Sequence, residues 1–525
     1  MSTAPAETAK LPPRVKRRLK IILLVLLAPW VLLLLFLLEE HFRGKISLAH
    51  YKRQLIAKGE KLTVAEINAQ KPTGENGAPE IMAAIKELQE DAILPKYPPP
   101  AMKLTPAGRA VVCFREGNWL EGTETNDWDQ LASEIATNRA TLDRIRVALQ
   151  MPVLDNNLDF SQGINMSFSH LAPTKSLARW FGAEAQLALN EGELHDALEP
   201  LVAQIRTARL VAEDRIIISQ LVLLAIAAIA RTEVWEALQA EGWHEEDLAR
   251  LQQAWEGQNI VATLLSSLEG ERVFMDSEFP VLRRSNEDTF KTLFGLEEYL
   301  PPDDSERPRW ERAVRKLPWG EQIAAFFKQQ IYCRVWRFAW LDQDNCRALE
   351  RMQWLLDIAR AAVAQKSFGA ARHAIDVWDT EASNRNLYDR LRFPEPISVT
   401  ALSGVVKRSL RIETERSIVI SSIALKRYDL SHGKSPASLD SLAPEFLSSV
   451  PTDYLDGKPI KYHLNQDGSF TLYSVGDDGK DDGGDPSLLP GKTNLQILWD
   501  RKDFVWPAPA LPEEIEAYRK EMQKN

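Results

Sequence analysis

The sequence predicts a mainly α-helical, membrane-anchored protein that ends in a small α+β module with a short antiparallel sheet. Three observations predict it. Ile21 to Leu38 is a run of 18 residues without a charge. From residue 39 to 410, apolar positions recur at a period near 3.6 in segments rich in Ala, Leu, Glu and Arg. Beyond Tyr428 that pattern stops, and two short strand-like runs lead into a loop crowded with Asp and Gly.

The apolar run comes first. As a helix, Ile21 to Leu38 would be about 27 Å long at about 1.5 Å per residue, close to the roughly 30 Å hydrocarbon core of a bilayer. Arg14, Lys16, Arg17, Arg18 and Lys20 precede it, and Glu39 and Glu40 follow. That bias places residues 1–20 in the cytoplasm as a basic tail and the bulk of the chain on the far, extracytoplasmic side of the membrane. No small-x-small cleavage site stands near Leu38 to Lys45, so the segment reads as an uncleaved single-pass anchor. A second apolar run, Ile216 to Ala230, holds Ser219 and Gln220 and is too short to span, so it reads as a buried core helix.

Charge narrows the partners. Residues 1–20 carry six Lys or Arg and one acidic residue, leaving 58 basic against 73 acidic in the remainder, a net of −15. An acidic ectodomain disfavours nucleic acid, and only the short basic tail is drawn to anionic headgroups. Cys113, Cys333 and Cys346 are an odd number. Cys333 and Cys346 would lie roughly 20 Å apart along one helix, beyond disulfide reach, so all three read as small buried hydrophobes.

Residues 39–410 read as a helical ectodomain. Pro- and Gly-containing breaks fall at 71–79, 95–108, 301–308 and 393–396, and a break near 283–310 would divide the region in two. Trp180 to Ala212 reads as a helical hairpin turning at Gly192, without a copy one 34-residue step later. Trp336 and Trp340, at i, i+4, fit core packing better than a ligand groove, and Phe326, Phe327 and Trp354 lie in the same helical region. Ser431-His432-Gly433-Lys434 matches a Ser-x-x-Lys motif only in letters, because that serine must begin a helix and Ser431 ends one. His244-Glu245-Glu246 lacks the second histidine of a zinc motif, and Glu193, His195 and Glu199 read as a solvated surface cluster.

Residues 411–506 form the C-terminal module, and 507–525 read as a charged tail. An apolar helix containing Ile418, Val419, Ile420, Ile423, Leu425 and Tyr428 ends at Gly433, with Pro436 barring continuation. Ser438 to Leu442 reads as a helical turn, and Ile460 to Leu464 and Ser469 to Tyr473 as strands joined by Asp467-Gly468. From Gly476 to Asp485, five aspartates and four glycines fall within ten positions. Such a density is a loop whose carboxylates need water or a hard cation such as Ca²⁺ to screen them.

This order resembles the C-terminal half of the major pseudopilin of type II secretion systems. The residues that carry the likeness are Tyr428, Gly433, Pro436, Leu439, Leu442, Pro451, Asp453, Gly457, Tyr462, Gly468, Phe470, Tyr473, Ser474, Gly476, Asp478 and Gly479. The resemblance implies a pseudopilin-like α+β module and a calcium site with carboxylates from Asp478 and Asp485 and the Val475 carbonyl. Asp481 and Asp482 are further candidate ligands, with Asp477 nearby. Lys20-Ile21 opens the apolar run without the processed Gly and fifth-position Glu of true pseudopilins, so the chain does not read as a fibre subunit. As a whole it looks like a large bacterial envelope protein in which such a tail ends a helical ectodomain.

The expected function is therefore structural or interactive: a calcium-binding envelope protein with protein partners, set beside type II secretion or pilus-type machinery. The alternative is an envelope hydrolase with its active site in the helical ectodomain.

Overall fold

The computed structural model describes residues 13–69, 73–89, 101–105, 108–115, 128–160, 162, 166–294, 318–383, 386–394 and 399–522. Residues 1–12 of the basic N-terminal segment, most of the break read at 95–108 and all of that at 301–308 lie outside them. Of the described residues 68% are helix and 6% strand, which makes the fold mainly α. It divides into two compact units, Met1–Leu62 with Met275–Glu350 and Arg385–Ile397, and Thr63–Phe274 with Arg351–Asn384 and Ser398–Asn525. The division does not follow chain order, and the described part of the 283–310 break, residues 283–294, falls inside the first unit.

The first unit is organised by a 45-residue helix, Pro13–Ala57. Every residue from Ile21 to Phe36 is exposed, whereas Leu37 packs on a core of Phe279, Leu282, Phe290, Cys333, Trp336 and Trp340. Glu40, one turn further, is buried at 1% exposure. Its charge is met by Arg43, its Oε2 accepts from Gln343 Nε2 at 2.9 Å and Trp340 Nε1 at 3.2 Å, and Arg392 lies 3.7 Å away. A carboxylate held this closely fixes the helix against its neighbour where the apolar run ends. Cys333 and Cys346 are free and buried in this unit.

The second unit holds, among the described residues, both sheets and the helices that pack around them. Leu171–Glu191 and Leu194–Arg206 form the hairpin expected from sequence, with Gly192 at φ +81°. Leu177, Trp180, Phe181 and Leu187 from the first of these pack with Leu131, Ile135, Leu142 and Ile145 of the Trp128–Ala148 helix. Ile217–Leu238 runs through the interior, with Leu223, Leu224, Ile226 and Ala227 in the core. Cys113 is also free and buried here.

β1 (Met102–Leu104) and β2 (Ala110–Val112) pair antiparallel. The 3₁₀ turn Leu439–Leu442 follows the 34-residue Val399–His432 helix, which stops at Gly433 with φ +67°. β3 (Lys461–Leu464) and β4 (Phe470–Ser474) form the hairpin that Asp467-Gly468 announces, in the register Leu464 to Phe470. A third strand, β5 (Phe504–Val505), pairs antiparallel with β4, completing the order β3-β4-β5. Beyond β5 the segment read as a tail continues the same body: Ala110 N donates to the Ala508 carbonyl at 3.0 Å, and Trp235 Nε1 to that of Pro507 at 2.7 Å.

Candidate functional site

β4 delivers its chain into the aspartate loop through Val475, whose N–H donates to Oδ2 of Asp453 at 3.0 Å. Asp453 is fully buried; its Oδ1 also accepts from Leu455 N at 2.9 Å. Burial raises its pKa against the pull of these N–H groups. Gly476 follows in the left-handed region at φ +67°, and a Cβ there would meet the Lys502 carbonyl oxygen at 2.2 Å. Only glycine lets the loop cross the β5 entry this closely.

Asp503, also fully buried, lies under the far half of the loop. Its Oδ2 accepts from Gly484 N at 2.8 Å and Asp485 N at 3.0 Å, and its Oδ1 from Asp482 N at 3.4 Å. Asp503 N returns a bond to the Asp485 carbonyl at 3.2 Å. Burial pushes the Asp503 carboxyl up in pKa while the N–H donors pull it down.

The near half is held by cations from two helices. Lys407 Nζ lies 2.9 Å from Oδ2 of Asp477, and Arg411 engages both oxygens of that carboxylate. Arg372 Nη2 and Nη1 donate to the carbonyls of Asp477 and Asp478 at 2.7 and 2.9 Å. Asp477 is thus a staple between loop and helices.

The five residues implied as metal ligands are placed as follows. Asp478 Oδ1 accepts from Lys480 N at 3.0 Å, within its own turn. Asp481 Oδ1 accepts from Tyr473 Oη at 2.9 Å and Gly483 N at 3.1 Å. Asp485 Oδ1 accepts from Ser487 N at 2.9 Å and its Oδ2 from Lys502 Nζ at 2.7 Å. That lysine draws the Asp485 pKa down to about 2. Asp482 reaches Asp503 through its N–H, and Val475 reaches Asp453 through its own. Among the described residues no three His, Cys, Asp or Glu side chains converge as a metal-holding group. Ca²⁺ takes six to eight oxygen ligands, so a site here would draw on backbone carbonyls and on an Asp485 carboxylate that Lys502 now shares.

The organisers of the loop were not legible as such. Asp453 carries the family likeness but no assigned role, and Asp503 stands 18 residues beyond Asp485 with no motif around it. The only local signal is the apolar Phe504-Val505-Trp506 run, which marks a strand whose entry Asp503 occupies.

Elsewhere, the helical part of the second unit holds several buried carboxyls at separate places. Burial raises Glu233 to about 8 and Glu271 to about 7. Glu271 accepts from Ile217 N at 3.0 Å, capping the Ile217–Leu238 helix. Asp214 accepts from both His170 Nε2 and Ser219 Oγ at 2.7 Å. The carboxylate stands between histidine and hydroxyl, whereas a relayed nucleophile needs the histidine between carboxylate and hydroxyl. Glu193, His195 and Glu199 do not share one partner: His195 faces Asp247, and Glu199 pairs with Arg250. A cavity of about 320 Å³ lined by Glu413, Arg416, Ser448, Ser449 and Tyr454 lies beside the Val399–His432 helix.

No family model, curated protein or solved structure matches this chain.

Proposed function

We propose that this chain is a single-pass, membrane-anchored protein of a bacterial envelope, with its N-terminus in the cytoplasm and its helical ectodomain and pseudopilin-like C-terminal module in the periplasm. Its role is structural or interactive, in the setting of type II secretion or pilus-type machinery.

The observation that carries this reading is the contrast between the two apolar helices. More than half of the apolar stretch of Ile217–Leu238 is buried. Among the described residues, nothing covers Ile21 to Phe36. Leaving sixteen consecutive apolar side chains in water would cost about 1.5–3 kcal/mol for each large one, which a bilayer removes.

In this reading Asp478 and Asp485, with the Val475 carbonyl and Asp481 or Asp482, would hold Ca²⁺. The ion would supply positive charge to a loop that Lys407, Arg411, Arg372 and Lys502 already neutralise in part. The reading is supported by the density of acidic residues and the likeness of the Tyr473 to Gly479 run.

The test is mild detergent extraction of the full chain from its native membrane, followed by identification of the proteins that accompany it. Recovery of envelope secretion or pilus components is the expected result. Recovery from the soluble fraction would overturn the proposal.

A further inference from the structure

The first unit carries a second apolar surface that the anchor does not explain. Within this unit residues 319–350 form one uninterrupted helix, in which Lys328–Tyr332 and Trp336–Trp340 are π-wound. Its buried side places Ala325, Cys333, Trp336 and Trp340 in the core. Its other side presents Trp319, Ile323, Phe326, Phe327 and Ile331, with Trp319 79%, Phe326 60% and Phe327 54% exposed. Positions 319, 323, 326 and 327 fall on one helical face, so these side chains make a stripe. Tyr332 Oη donates to the Leu391 carbonyl, and the short helix Leu387–Arg392 brings exposed Leu387 and Leu391 into the same unit. A contiguous stripe of large apolar side chains on a water-facing surface marks a contact.

The membrane helix shows what that contact is. His41 stacks on Phe338 with ring centroids 4.8 Å apart, a Cβ on Gly44 would meet Gln343 Cγ at 2.9 Å, and Leu48 lines the same small cavity as Asn345. The pairings advance together along both helices, so the two run in the same sense. Moving towards the N-terminus from this contact, one helix enters the exposed run Ile21 to Phe36 and the other enters the stripe from Ile331 to Trp319. Both apolar surfaces therefore lie to the same side of the buried Glu40. Lys328 and Arg334 are exposed along the stripe, where long basic side chains can carry their charge up to phosphates. Trp and Phe on one face with Lys and Arg beside it is the composition of a helix lying in a headgroup region.

We propose that the 319–331 stripe is a second membrane contact, seated in the headgroup region of the leaflet from which the anchor emerges on the ectodomain side. The inference rests on the anchor reading above. Together the span and the stripe would hold the first unit at two points and fix its tilt on the bilayer.

The test uses the full chain reconstituted in vesicles of equal parts phosphatidylethanolamine and phosphatidylglycerol. Phe327→Cys and, separately, Leu32→Cys carry an environment-sensitive fluorophore, and the unsubstituted chain, whose three cysteines are buried, sets the background. Nitroxide lipids quench from either near the headgroup or near the acyl terminus. The expected result is that the label at 327 loses most of its emission to the headgroup quencher and the label at 32 to the deep one. If the label at 32 is quenched and that at 327 by neither lipid, the stripe does not touch the membrane and the anchor stands. Quenching at 327 chiefly by the deep nitroxide also overturns the headgroup placement. A blue shift at 327 that disappears on dilution to one chain per vesicle assigns the stripe to a second copy instead. If neither label is quenched, the anchor reading has failed and this inference fails with it. Ile323→Cys is the reporter if Phe327→Cys does not fold.

Discussion

Lys502 holds its Nζ 2.7 Å from Oδ2 of Asp485, the carboxylate that the family likeness would give to calcium. The chain thus places its own cation on one of the two principal expected ligands. Lys502 keeps Asp485 ionised far below the usual carboxylate range, at about 2. Because this pKa is lowered on folding, its contribution is present above the ordinary Asp value and is lost as the pH falls towards 2.

Lysine and calcium should compete. Lys502→Ala is expected to tighten calcium binding by the full chain, while Asp478→Ala and Asp485→Ala weaken it, as read by calorimetry. In the unsubstituted protein, free calcium a hundredfold above its Kd would stabilise the fold by about 2.7 kcal/mol, and chelation would lower Tm accordingly. Identical melting with calcium and with chelator, and no heat of binding at several temperatures, would show that the loop is ordered by its own cations alone.

Asp503 should matter to the loop whether or not calcium binds. Asp503→Ala leaves the N–H groups of Gly484 and Asp485 without their acceptor. Each orphaned donor costs about 1–3 kcal/mol, so denaturant unfolding should show a loss of several kcal/mol that added calcium does not restore. A loss no larger than that of an exposed substitution such as Asp467→Ala would contradict this.

Much of the local architecture was legible because local chemistry encodes it. Asp467-Gly468 specifies a turn, Gly433 a helix end and Gly192 a hairpin, and each sits where its backbone preference demands. β5 was missed because two residues carry no periodicity, and its pairing with Tyr473 and Ser474 is set by a partner some thirty positions away. The same limit hid Asp453 and Asp503, whose importance lies in burial and in N–H groups gathered from elsewhere. Aromatic spacing was informative only in part. Trp336 and Trp340 pack inward as their i, i+4 spacing suggests, but Phe326 and Phe327 face outward, and adjacent aromatics on a helix do not reveal which side the core will take.

Glu233 should make stability depend on pH in the direction opposite to a paired carboxylate. Its pKa rises from 4.5 to about 8 on burial, so the folded state binds a proton that the unfolded state releases. Its contribution is fully present below about 4.5 and is lost as the pH rises towards 8. Glu233→Gln should flatten the dependence of Tm on pH between those values while keeping the hydrogen bond to Gln186. An unchanged slope would place the effect elsewhere, with Glu271 the next group to replace.

Gly270 should tolerate no side chain. A Cβ there would stand 1.7 Å from the Arg215 carbonyl oxygen, in a segment where Arg215 itself adopts φ +55°. Gly270→Ala must push that segment off the Ile260–Arg284 helix, at about 1–3 kcal/mol or more, and should lower Tm clearly in a thermal melt. Wild-type stability in this variant would mean the two segments are less closely packed than described.

The anchor and its direction are the centre of the account. The most direct measurement fuses a phosphatase that is active only after export to the end of the chain, behind Asn525, and assays the membrane fraction after alkaline extraction. An active reporter on a full-length protein that stays with the membrane is the expected result. An inactive reporter, or a soluble mature protein whose N-terminus lies near Lys45, would contradict it.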